Sequence, residues 1–236
     1  MNKIVRNEIL VFEPLPEEKR EIAHACYKAI KFFLDKIPFL ENTYIYAAIS
    51  NTENFDKMLA ANNRFTVPKD CYWDNENFCC SCVNCKGESE SESPFNLITI
   101  NVDYIFNHII EFSNSTNIVN KNALRIVGNS LAVHACFHEL CHALYPNRCG
   151  SNELFKGQYE VLTDITALNY TQLYKTELEG ILKTKIIPDL ALIFDSYIVS
   201  FSKIAPPFCL SHQENRVVDL RCEALGVANM EDLYHE

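Results

Sequence analysis

His138-Glu139-Leu140-Cys141-His142 sets two imidazoles four residues apart inside an apolar, helix-patterned segment. On a helix that spacing puts both rings on one face, where they can bind one metal ion. Glu139 sits one residue round from His138, close enough to reach a water at the metal without being a ligand. A zinc ion with three protein ligands lowers the pKa of such a water to roughly 7. A neighbouring carboxylate can then take a proton and later return it to a leaving amine. The pattern is chemically complete except for a third ligand.

The third ligand decides the class. A third histidine six residues beyond the motif would make a metzincin, but that position is Arg148 and the glycine position is Tyr145, so this option is excluded. Downstream, Glu160, Asp164 and Ala167 fall on one helical face, beside an apolar face of Val161, Ile165 and Leu168. Glu160 is the expected carboxylate ligand of a two-histidine, one-glutamate site. Asp164, one turn on, is placed to accept the free N–H of a ligand histidine and fix its tautomer. Glu153 is the alternative ligand. A solvated acidic helix edge is the competing reading of the pair.

His138 to His142 followed by Tyr159-Glu160-Val161-Leu162-Thr163-Asp164-Ile165-Thr166-Ala167 resembles the gluzincin metallopeptidases, with their H-E-x-x-H and downstream E-x-x-x-D-x-x-A. Within that group the chain is similar to small proteins of the HtpX and CAAX-prenyl-protease type and to the Lit-like phage-exclusion proteases. Ser211-His212-Gln213-Glu214-Asn215-Arg216 resembles a shortened form of a later segment of those proteins, with Gln213 where proline is usual. The resemblance covers roughly residues 122–226. It implies a zincin-like fold, one catalytic Zn2+ held by His138, His142 and Glu160, Glu139 as general base and acid, and a protein or peptide substrate. His212, at a helix start marked by the Ser211/Glu214 capping box, and Arg216 become candidate catalytic donors to the oxyanion. They read equally as a cap and an ordinary ion pair.

A second cluster lies earlier. Cys71, Cys79, Cys82 and Cys85, with Cys80 among them, could hold a structural zinc or an iron–sulfur cluster, or remain free thiols. Residues 67–94 also include the run Glu88-Ser89-Glu90-Ser91-Glu92-Ser93 and read as a Cys-rich, acidic insertion. Cys141 and Cys149 lie near the motif; buried, inert thiols are the commoner case.

The elements that must position these groups follow from periodicity. Glu17–Lys36 carries an apolar stripe of Ile22, Cys26, Ala29, Ile30 and Phe33 and reads as a helix stopped by Pro38. Thr43–Ile49 and Phe95–Val102 read as strands, the second half-buried and the better candidate for an edge that pairs with an extended substrate. Asn54–Ala61 reads as a short helix. Helices are expected over roughly 122–145 and 158–183, another after Pro188, and a last one from Ser211 to Gly226.

Composition sets the outer limits. With 236 residues, 48% hydrophobic, the chain can bury the core of one domain, 1–236. The expected class is α+β, predominantly helical, with a small β-layer. A net charge of −10 argues against nucleic acid as the main partner. The N-terminus lacks the apolar core of a signal peptide, and the apolar stretch Ile186–Ile204 is interrupted by Pro188, Asp189 and Asp195. No membrane span and a cytoplasmic location are expected. Eleven cysteines without a leader favour metal or free thiols over disulfides. The function expected is zinc-dependent peptide-bond hydrolysis. The alternatives are a non-catalytic metal-binding module and a triggered defence or toxin protease.

Overall fold

A computed structural model describes residues 7–38, 44–54, 80–85, 95–144, 153–188 and 190; of 80–85, 115 and 153–162 it describes the backbone alone. Four strands form one sheet: β1 (Asn7–Val11), β2 (Tyr44–Ser50), β3 (Cys80–Cys85) and β4 (Phe95–Asn101). Their spatial order is β1-β2-β4-β3. β1, β2 and β4 run parallel, with Ala47 opposite Ile9 and Ile98, while β3 runs antiparallel to β4, with Cys82 opposite Ile98.

Helices make up most of the described residues, as the α+β reading expects. α1 (Glu17–Lys36) crosses from β1 to the parallel β2, and Ile22, Ala23, Cys26, Ala29, Ile30 and Phe33 bury one face of it. Glu17 and Glu18 complement the positive end of the helix dipole, and the N–H of Ile37 closes its last turn on Phe33. α2 (Val102–Thr116) follows β4 directly, capped by Asn101, whose Oδ1 accepts the N–H of Asp103 at 2.9 Å. Asn117, in the left-handed conformation with φ 54°, ends it. α3 (Lys121–Leu144) starts where Asn120 Oδ1 accepts from Asn122 and Ala123. α4 (Glu153–Leu173) and α5 (Lys175–Leu182) follow.

Ile45, Ala47 and Ile49 of β2 and Ile98 and Ile100 of β4 belong to one core with α1 and α3. Alternate positions of a strand share a face, so these five form the helix-covered side of the sheet. The other side is buried as well: Tyr46, Ala48, Leu97 and Thr99 are each under 9% exposed. β4 is therefore a central strand buried on both faces, which corrects the half-buried edge expected from its sequence. Its apolar-polar alternation misleads because Asn96 and Thr99 are themselves buried.

Two strands were not anticipated. β1 begins within the polar N-terminus, and β3 lies inside the stretch expected to be an insertion. Residues 80–85 pair along β4 as the antiparallel edge of the sheet, because backbone pairing is open to any residue that is not proline. The rest of 67–94 lies outside the described residues, as do Ala61 and most of the short helix expected from Asn54. The long helix expected over 158–183 begins earlier and is divided at Tyr174. The helices expected after Pro188 and from Ser211 lie outside the described residues. Among the described residues no helix is long and apolar enough to cross a membrane.

Candidate metal centre

α3 carries the motif in its second half, where most side chains are buried. Val133, Cys136, Phe137, Leu140 and Cys141 pack into the core, which fixes the rotation of the helix and aims His134, His138 and His142 along its remaining face. Phe137, next to His138, meets Phe33 of α1 edge to face at 4.8 Å, and Phe33 meets Tyr170 of α4 the same way at 5.5 Å. One aromatic ring thus wedges together α1, the motif helix and the helix that supplies the acid.

Three short contacts define the site. His138 Nδ1 lies 2.6 Å from Asp164 Oδ1. His142 Nε2 lies 2.9 Å from His138 Nε2. His134 Nε2 lies 3.3 Å from the same Asp164 Oδ1. Asp164 is 3% exposed. Burial, the largest influence on it, disfavours the ionised form. The charge of His138 and the hydrogen bonds from His134 and His138 outweigh burial and hold the carboxyl well below the usual carboxylate range.

An ionised Asp164 settles the tautomer of His138. Its Nδ1 carries the proton donated to the carboxylate, so the neutral ring, the form that binds a metal, presents its lone pair at Nε2. That lone pair faces His142 Nε2. Two nitrogens bound to one tetrahedral zinc stand roughly 3.3 Å apart, so a small outward shift from 2.9 Å fits an ion between the rings. The donor set matches a borderline-soft divalent cation.

The structure thus brings together His138, His142 and Asp164 from the residues singled out in the sequence. Glu139 is buried at 6% exposure on the adjoining face of α3. Glu160 lies in α4 one turn before Asp164, but its side chain, like that of Glu153, is outside those described. Glu153 is the first residue of that helix. His212 and Arg216 lie outside the described residues, as do Cys71 and Cys79. Cys82 and Cys85 are placed by backbone alone, in β3 opposite Ile98 and Phe95. Cys141 is buried; burial, and then the charge of Asp164, push its thiol far up, away from the reactive thiolate.

Sequence reasoning passed over His134. Its signal was present: it stands four residues before His138, at the same step that separates His138 from His142.

The chain matches no protein-family model, no curated protein and no solved structure. The described residues themselves supply the chemical conclusion: His134, His138 and Asp164 offer three ligand atoms within 4.8 Å of one another, a group able to hold a metal ion.

Proposed function

We propose that this chain is a metal-dependent peptidase. The observation that carries the reading is the orientation of His138, whose Nδ1 is tied to Asp164 while its Nε2 faces that of His142. His138 and His142 would hold the metal, and Glu160 would complete the ligand set from α4. A zinc ion there would supply Lewis acidity and bring the pKa of a water near 7. Asp164 keeps the His138 ring in its ligand tautomer and raises its basicity. Glu139, buried beside the two rings, accepts a proton at its carboxylate and returns it to the leaving amine. A buried carboxylate is suited to this because little solvent competes for the proton.

β3, the antiparallel edge strand, is where an extended peptide backbone could add to the sheet. This moves the expected docking edge from β4 to β3. Cleavage sites mapped by proteomics with the parent protein beside Glu139→Gln test the reading. The variant should keep its metal and lose all cleavage; equal cleavage by both would overturn it.

A second reading is a non-catalytic cation site. It is favoured by the His134–His138–Asp164 group, which offers three protein ligands without either Glu160 or His142. The two readings part at His142, which only the first requires for metal.

A further inference from the structure

We infer that His134 is a positioning residue for the metal centre, holding the Asp164 carboxylate that orients His138. The inference rests on the metal seat between His138 and His142 proposed above. It adds a third histidine that binds no metal and acts through the acid.

Asp164 Oδ1 receives two ring nitrogens, His138 Nδ1 at 2.6 Å and His134 Nε2 at 3.3 Å. Both histidines come from α3, one turn apart, and the acid comes from α4. The χ2 bond of an aspartate is soft, so each donor restrains the direction of its carboxylate. Two donors from one rigid helix fix it in two directions. The His134 side chain is 12% exposed, and the His138 side chain 18%.

The protonation of His134 follows from the same contacts. Its Nδ1 is buried without a hydrogen-bond partner among the described residues. A proton there would leave a buried donor unmet and turn the Nε2 lone pair toward a carboxylate. A proton on Nε2 instead makes a charge-assisted hydrogen bond and leaves at Nδ1 only a lone pair. His134 is therefore a donor to Asp164. Its Nε2 cannot bind a cation in that state, and the metal is left to the His138–His142 side.

Partners one bond removed from a metal ligand commonly change affinity 10–100-fold when lost. His134, two bonds removed, is expected at the lower end. The test measures Zn2+ affinity of the full chain by chelator competition, and the visible spectrum of the Co2+-loaded protein, for three His134 variants, for Asp164→Asn and for one double variant. His134→Phe should weaken Zn2+ binding about tenfold. His134→Gln, whose amide N–H reaches the position of Nε2, should stay within about threefold of the parent. His134→Asn, whose amide matches Nδ1, should resemble His134→Phe and provides the measurement should the phenylalanine variant fail to fold. In an Asp164→Asn background His134→Phe should add nothing further, since the effect passes through the acid. Parent-like affinity and spectrum in both His134→Phe and His134→Asn would overturn the inference, as would equal losses in His134→Gln and His134→Asn, or additive losses with Asp164→Asn. A parent protein that takes up neither Zn2+ nor Co2+ would overturn the metal seat itself, and this inference with it.

Discussion

His138 Nδ1 and Asp164 Oδ1 stand 2.6 Å apart although 26 residues of chain separate them. The contact spans two helices and decides which nitrogen of His138 is left to bind. It also makes the stability of the fold depend on acid, because the carboxyl of Asp164 is held below its usual range in the folded chain.

The sign of that dependence follows from linkage. The unfolded chain takes up the proton at about pH 3.9, before the folded chain does. The stabilisation from Asp164 is complete above that value and is lost as pH falls through the lower, folded one. Denaturant midpoints of the metal-free protein between pH 5 and pH 3 should therefore fall more steeply for the parent than for Asp164→Asn. Parallel slopes would contradict this.

Phe33 is the structural counterpart of that contact. It is fully buried and touches Phe137 and Tyr170 edge to face. Phe33→Ala should cost about 3–5 kcal/mol in urea unfolding. Leu173→Ala, at a side chain 70% exposed, should stay within about 0.5 kcal/mol. A small loss at Phe33 would show that the three helices are held together elsewhere.

Cys141 lies inside the motif yet is built to be inert. Burial and the charge of Asp164 push its thiol far above the thiolate range. Cys26 and Cys136 are buried as well. None of the three should be alkylated in the native protein, and all should react once it is unfolded in denaturant. Mass-spectrometric mapping of native labelling checks this, and modification of Cys141 in the folded chain would contradict it.

The readable parts of this molecule were those governed by local spacing. The stripe from Ile22 to Phe33 fixed α1 to the residue, and the four-residue steps from His138 to His142 and from Glu160 to Asp164 showed which side chains share a face of each helix. Strand order was not readable, because it depends on pairing between distant segments. β4 looked like an edge because Asn96 and Thr99 alternate with apolar residues, yet both are buried in a central strand. β3 was hidden by its cysteines, whose chemistry suggested a metal loop while their backbone pairs with β4. His134 was missed for another reason. It stands outside the five-residue motif, and its partner is an acid on another helix.

The central claim is that His138 and His142 share one metal ion. Elemental analysis of the purified protein beside His142→Phe, with circular dichroism to show that the fold is kept, tests it most directly. The expected result is one divalent cation per chain in the parent and none in the folded variant. A full equivalent of metal retained in His142→Phe, or none in the parent, would contradict it.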